Sequence, residues 1–352
     1  MTPDPWTVEV LAALRSHDLL HTADVVSVEQ FHQRSSCCVL ELSDGRALFV
    51  KQARQNAAGA WSADVAGEGH RMRHLAALPG ASGLLPEVLV VDEERRMVVT
   101  RAVHPAMPLD EARRTSGGTD PLRAAALGRS LAQLHGAAQR PGIDLPEVDH
   151  IGPLLRNWSR PTPRMITLFP EAYREVAVLV QRGDFLDRVG ELADEWRTDT
   201  PVHGDVKSDN VLCEAGAGAP AVRLIDWECA GWGDARWDVG SAIGDYLFTW
   251  LRSMRVTADG GLAAWIATAS PPMAGIRTEL ECLLTAYRDG RATPTDDADV
   301  ATLMRYAGVF LLHRLTMAAM QSAGLGATTL AVLQVSRQLL RSPHTALEVL
   351  TS

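Results

Sequence analysis

The spacing of polar and apolar positions along this chain changes period twice. Thr7–Leu14 repeats its apolar residues at helical spacing and predicts a short N-terminal helix. From Val25 the period becomes two. Val25–Val28 and Cys38–Leu42 read as strands, Ser43-Asp44-Gly45-Arg46 as a hairpin turn, and Ala47–Lys51 as the returning strand. A helix is expected over Ser62–Leu78, stopped by Pro79-Gly80, and two more strands over Glu87–Val91 and Arg96–Thr100. This part reads as a small antiparallel sheet with one inserted helix.

After His104-Pro105 the helical period dominates. Pro121–Gln139 carries Leu127, Leu131 and Leu134 on one face, and Pro170–Gln181 and Phe185–Trp196 repeat the pattern. The Pro- and Gly-rich stretch 141–163 reads as a loop. A polar loop at 201–210 is followed by two short strands, Asn210–Cys213 and Val222–Asp226, and helices resume from Arg236. The pattern predicts an α+β fold of two lobes, a sheet-bearing N-lobe over 1–103 and a mostly helical C-lobe over 104–352.

Composition narrows the class. Hydrophobic residues make up 46% and charged residues 22%, as in a soluble globular protein. A net charge of −9 excludes a general nucleic-acid binder, which must displace phosphate counterions. Ala307–Met320 is the most apolar stretch, but His313 and Arg314 interrupt it, and it falls short of the roughly 20 residues a membrane span needs. With no signal-like N-terminus, a cytoplasmic protein is expected. The five cysteines include no Cys-x-x-Cys pair and read as reduced thiols, with Cys37-Cys38 as packing residues.

The polar loop carries the chemistry. Asp205 lies in His203-Gly204-Asp205-Val206-Lys207-Ser208-Asp209-Asn210, and Asn210 follows five residues on, so one turn of loop can present both side chains to one cavity. Asp226 closes the next apolar strand. Phosphoryl transfer needs a carboxylate at the attacking hydroxyl and oxygen ligands that hold Mg²⁺ on the phosphates. Asp205 fits the first task; Asn210 and Asp226 fit the second.

His203-Gly204-Asp205 with Asn210, then Ile225-Asp226-Trp227-Glu228 and Gly233-Asp234, resembles the aminoglycoside phosphotransferase and choline kinase family, whose fold is protein-kinase-like. Gly128–Gly136 is similar to that family's helix before the substrate region. The resemblance implies use of ATP and Mg²⁺. It also makes Lys51 the lysine for the α/β-phosphates, with Glu68 as its ion-pair partner; Asp64, one turn earlier, is the competing carboxylate. Thr100, Arg101, Ala102 and Val103 take the hinge position, where backbone groups would bind adenine. Ser35 and Ser36 end the phosphate-covering loop His32–Ser36, which has no glycine and so departs from protein kinases. Gly204 stands where protein kinases carry an arginine that reads a phosphorylated activation loop, so an always-competent enzyme is expected. Lys207 matches a protein-kinase feature and is a candidate catalytic cation for the moving phosphoryl group. Lys51 and Lys207 are the only lysines in the chain.

Other residues have plainer readings. His203 reads as structural, packed behind the loop. Asp234 and Asp238 read as caps, with Asp238 a further brace for the loop. Trp227, Trp232, Trp237 and Trp250 read either as core or as the wall of an apolar acceptor pocket. The acceptor is expected to be a small natural product or antibiotic. A Ser or Thr of a ribosomal precursor peptide, handled alongside a partner biosynthetic enzyme, is the alternative, and a non-catalytic pseudokinase is the reading from another class. Acidic and basic residues roughly balance from Ala235 to Ser352, which speaks against a polycationic acceptor.

Overall fold

A computed structural model describes the chain except residues 1–3, 21–24, 33–34, 56–58, 138–142, 164–166, 168, 215–219, 256, 258–261, 292–296, 322–323, 325 and 346–352. Helix α1 (Pro5–Ser16) precedes β1 (Val25–His32), β2 (Ser36–Leu42) and β3 (Ala47–Gln52); α2 (Val65–Ala76) then leads into β4 (Val88–Asp92) and β5 (Met97–Arg101). The five strands form one antiparallel sheet in the order β1-β2-β3-β5-β4. Strand β3 is central, and Lys51 pairs with Cys37 on one side and Val98 on the other.

Alternation decides which face each strand residue serves. In β2 every second residue is buried. Leu40, Leu48, Val50 and Val99 point to one face and pack against Val10, Ala13 and Leu14 of α1. Full burial of each such side chain stabilises by about 1.5–3 kcal/mol. The opposite face meets α2 through Val65 and Val98. Lys51 stands on that second face, one residue past Val50, and so points toward α2.

The remainder is mainly helical. Short β6 (Ala106–Pro108) leads into α3 (Leu109–Thr115), α4 (Pro121–Gly136), α5 (Gly152–Ser159), α6 (Glu171–Arg182) and α7 (Phe185–Asp194). Next come β7 (Thr200–Val202), β8 (Val211–Glu214), β9 (Val222–Leu224) and β10 (Gly231–Gly233). Helices α8 (Ala235–Ser253), α9 (Leu262–Ile266), α10 (Met273–Asp289), α11 (Asp297–Ala319) and α12 (Ala327–Arg341) complete the chain. Helix α8 is buried on all sides over most of its length. Helices α4 and α10 cross closely at Gly128, where an added Cβ would lie 2.2 Å from the Leu283 carbonyl oxygen. Among the described residues no helix is long and apolar enough to cross a membrane.

Two expectations need correction. The stretch 141–163 is not all loop, because α5 lies inside it. Its Gly and Pro sit in the first turn, where Pro is tolerated, and the Asp149 carboxylate accepts the Ile151 and Gly152 N–H groups. The strand expected to run to Asp226 stops at Leu224. Asp226 itself adopts φ 65°, ψ 62°, a left-handed turn that aspartate tolerates better than most residues.

Candidate active site

The 203–210 loop leaves β7 and enters β8, so both ends are fixed in small sheets: β7 pairs with β10, and β8 with β6 and β9. Two aspartates of α8 hold it from behind. Asp238 accepts the His203 N–H at 2.7 Å and the Gly204 N–H at 2.8 Å. Asp245, seven residues on, accepts the Ser208 N–H at 2.8 Å and also the Ser208 hydroxyl. Both carboxylates are buried. Burial works to raise the Asp238 carboxyl, but the His135 and His203 partners hold it below its ordinary value. At Asp245 burial outweighs the Ser208 hydrogen bonds and the pull of Arg314, and raises the carboxyl.

The loop's own contacts set its shape. His203 is fully buried; its Nδ1 accepts the Asp205 N–H at 3.2 Å, so Nε2 is the nitrogen that donates to the Ile225 carbonyl at 2.9 Å. The structural reading of His203 fits that geometry. Gly204 has φ +83°, and an added Cβ would lie 2.4 Å from the Cys229 carbonyl oxygen and 2.5 Å from His150 Nε2. The position thus excludes an arginine on both backbone and space. The Trp237 indole N–H donates to the Gly204 carbonyl at 2.9 Å.

Asp205, Lys207 and Asn210 meet at the mouth of the loop. Asn210 Nδ2 donates to the Asp205 carbonyl and to Asp205 Oδ2, each at 2.9 Å, and Lys207 Nζ donates to the same Oδ2 at 2.5 Å. With its nitrogen committed, Asn210 keeps Oδ1 for another partner. The Ile225 N–H donates to the Asn210 carbonyl at 3.0 Å, which places Asn210 beside the turn that carries Asp226.

Lys51 joins this group from the sheet. Its ammonium donates to Glu68 Oε2 at 2.7 Å and to Asp226 Oδ1. Burial opposes its charge, but Glu68 and Asp226 raise its pKa above the ordinary lysine value. Burial raises Glu68, and Glu68 Oε1 accepts the Trp227 N–H at 3.1 Å. Burial also opposes ionisation of Asp226, yet Lys51 holds that carboxyl below its usual value. The competing Asp64 is exposed and caps α2, accepting the Gly67 N–H at 3.1 Å.

The remaining candidates are placed less uniformly. Thr100 and Arg101 belong to β5, and the Arg101 and Ala102 N–H groups already donate to Glu87 and Ala47. Val103 makes no backbone hydrogen bond to another described residue, and the Ala102 carbonyl accepts none. Ser35 and Ser36 are buried at the β1–β2 turn, and Ser36 pairs with Gln52 in the sheet; Gln33 and Arg34 lie outside the described residues. The four tryptophans are core, each no more than 5% exposed, so they do not wall a pocket. Asp234 is a cap as expected, accepting the Arg236 N–H at 2.9 Å. Asp238 is a brace and not a cap. Burial pushes the Cys37 thiol up to about 11, in keeping with a packing role.

Several residues that shape the site carry no motif. His135 bridges Asp238 and the Tyr287 hydroxyl, at 3.2 and 3.0 Å. His150 stacks on Trp237 with 5.8 Å between ring centroids. His313 on α11 is pushed below its ordinary pKa by burial, against the pull of Asp205. Asp245 had a readable signal: it repeats Asp238 at seven residues within an apolar helix, which puts both carboxylates on one face.

Known proteins share this arrangement at the level of fold. A choline/ethanolamine kinase family protein from Mesorhizobium loti superposes with a TM-score of 0.59 at 18% identity, covering 98% of this chain and 99% of its own. The choline kinase LicA from Streptococcus pneumoniae gives 0.54 at 16% identity, covering 96% and 99%. An ethanolamine kinase from Plasmodium vivax gives 0.55 at 13%, covering 95% and 89%. The bilobal protein-kinase-like fold expected from the resemblance is therefore the fold observed. A search of curated protein sequences finds no match. The sequence model of the phosphotransferase enzyme family matches residues 34–276, well over half of the chain, and spans every residue gathered above from Lys51 to Asp245. The chain belongs to the phosphotransferase enzyme family.

Proposed function

We propose that this phosphotransferase moves the γ-phosphate of ATP to an alcohol hydroxyl of a small natural product or antibiotic, with Mg²⁺ as cofactor. The observation that carries the reading is the convergence of Lys51, Asp226, Asn210, Asp205 and Lys207, drawn from β3, the turn after β9 and the 203–210 loop. Use of a nucleotide is supported by the fold shared with LicA, which has been crystallised with AMP. In this reading the lobes divide near residue 103, and the protein works in the cytoplasm.

The residues present fit a hard cation: an Asp226 carboxylate and the uncommitted Oδ1 of Asn210 are oxygen donors on neighbouring turns. Mg²⁺, when bound, supplies charge neutralisation on the phosphates. Lys51 shifts from Asp226 to the α/β-phosphates while Glu68 keeps it in place. Val103 and its strand neighbours Thr100, Arg101 and Ala102 border the adenine, and Ser35 and Ser36 the phosphates. Asp205 is fixed through Oδ2 by Asn210 and Lys207, and its Oδ1 accepts no hydrogen bond from a described residue. That oxygen orients the acceptor hydroxyl and takes its proton. Lys207 then stabilises charge on the moving phosphoryl group.

Lys207 on Asp205 also favours a second reading, the protein-kinase-like one, in which the acceptor is Ser or Thr of a precursor peptide. Mass spectrometry after incubation with Mg·ATP separates them. The expected result is a gain of one phosphate on a small alcohol and none with Asp205→Asn. A phosphate on peptide Ser or Thr instead selects the second reading, and ATP turnover that survives Asp205→Asn overturns both.

A further inference from the structure

Beside the loop opens a cleft of about 380 Å³ between the start of α3, the Ser208–Asp209 turn, α8 and α11. Its far wall is cationic. Arg252 and Arg314 approach the Phe248 ring, with guanidinium carbons 5.6 and 5.0 Å from the centroid. Among the described residues neither guanidinium has a carboxylate within ion-pairing distance, whereas the buried Arg113 and Arg236 and the half-buried Arg123 each meet one. An arginine is charged at any physiological pH, and a guanidinium held on an aromatic face keeps its N–H edge free for a carboxylate or phosphate.

The near wall is acidic, but most of that charge is spent. Asp245 is buried and bound to Ser208. Asp110 pairs with Arg114 at 3.3 Å. Arg314 lies within the field of the buried Asp245, and Asp209 is the exposed carboxylate of the cleft with no partner among the described residues, so the two arginines face one exposed, uncommitted anion. Ser208 is three residues from Asp205, which puts their Cα atoms no more than about 11 Å apart. His313, next to Arg314, lies within the field of Asp205 and Lys207. The cleft wall at Ser208 and Asp209 is thus part of the same short loop that carries Asp205.

We propose that Arg252 and Arg314 bind an anionic group, a carboxylate, of the acceptor, so that the enzyme selects an anionic hydroxyl compound and not a cationic one such as choline. The inference rests on the phosphotransferase reading above and names the substrate class of that same site. A carboxylate can come from a small hydroxy acid or from an acidic residue of a peptide, and both present the same chemistry.

The test is binding measured by NMR line broadening to the full chain with Mg·ADP present. The probes are N-acetylserine, its neutral amide, choline, and a serine heptapeptide with either Glu or Gln after the serine. N-acetylserine is expected to bind about tenfold tighter than its amide, a difference of about 1.4 kcal/mol. The preference should fall to about twofold in Arg252→Gln and vanish in the Arg252→Gln/Arg314→Gln pair, with thermal unfolding reporting on folding. Asp209→Asn should increase it. A Glu-over-Gln preference in the peptide without one for N-acetylserine identifies a peptide as the source of the same carboxylate. Choline binding as tightly as N-acetylserine, or an anion preference that survives the double variant, overturns the inference. ATP turnover in Asp205→Asn is the separate arm: its persistence defeats the phosphotransferase reading whichever probe binds.

Discussion

Asp238 and Asp245 stand seven residues apart on one face of α8, and each holds a different end of the 203–210 loop through backbone N–H groups. The loop's shape is therefore written in a helix that begins 25 residues after it ends. A carboxylate that accepts two N–H groups in a dry environment is costly to lose, because the donors are then left unsatisfied. Asp245→Ala is expected to destabilise the fold by about 2–4 kcal/mol, the mechanism being unsatisfied buried donors at Ser208. Denaturant unfolding checks it; a change under about 0.5 kcal/mol would show that the loop is held by other contacts.

Gly204 tolerates no side chain. Gly204→Ala should cost several-fold in turnover and about 1–2 kcal/mol in stability from the left-handed backbone alone, before the clash with the Cys229 carbonyl is counted. The measurement is kcat beside the unfolding midpoint. Wild-type values for both would mean that the loop can take another path.

Lys51 is tied to both Glu68 and Asp226. Lys51→Met leaves two neighbouring carboxylates without their cation, one of them buried. The variant is expected to lose about 3–5 kcal/mol of stability and to bind nucleotide more weakly. Titration with ADP, read against the unfolding curve, separates the two effects.

Arg113 and Glu279 form a bidentate pair at 2.9 and 2.8 Å, and Glu279 also accepts the Asp120 N–H at 2.8 Å. The pair is buried and ties α3 and the start of α4 to α10. Glu279→Gln should cost about 3–5 kcal/mol, since it leaves Arg113 buried and uncompensated. Replacing both residues with apolar ones of similar volume should cost much less.

Acid stability has a specific contributor at the far edge of the sheet. Burial alone would raise the Asp92 carboxyl, but hydrogen bonds from His17 and from the Arg95 backbone and guanidinium bring it down to about 2. A carboxyl depressed in the folded state binds fewer protons there than in the unfolded chain. Its contribution is thus present above the unfolded value of about 4 and is lost as pH falls toward about 2. Asp92→Asn should lower stability at neutral pH by about 1–2 kcal/mol and flatten the acid limb across that window. An unchanged acid limb would place the titration elsewhere.

The sequence carried the site better than it carried the site's supports. Asp205, Asn210 and Asp226 stood out in the sequence because a short polar loop and the strand after it carry them, whereas Lys51 and Glu68 came from the family resemblance alone; the fold brings the five together. The turn at Asp226 was not, since nothing local to an apolar strand ending in Asp announces a left-handed residue. Helix α5 was missed because Gly152 and Pro153, read as breakers, are start signals when an Asp lies just upstream to cap them. The tryptophans of 227–250 looked equally suited to pocket and core, and only packing against α11 and the loop decided for core. His150 and Arg314 reach their places through tertiary contacts alone, so no spacing points to them.

In the proposed reaction Asp205 directs the γ-phosphate of ATP to an alcohol. The most direct measurement is transfer of label from [γ-³²P]ATP into the low-mass and peptide fractions of a host extract, with wild type and Asp205→Asn side by side. The expected result is Mg²⁺-dependent label in a non-nucleotide acceptor that EDTA abolishes and that falls by about 10²–10⁴-fold in the variant. Equal labelling by the two proteins, or none by the wild type in any fraction, would contradict it.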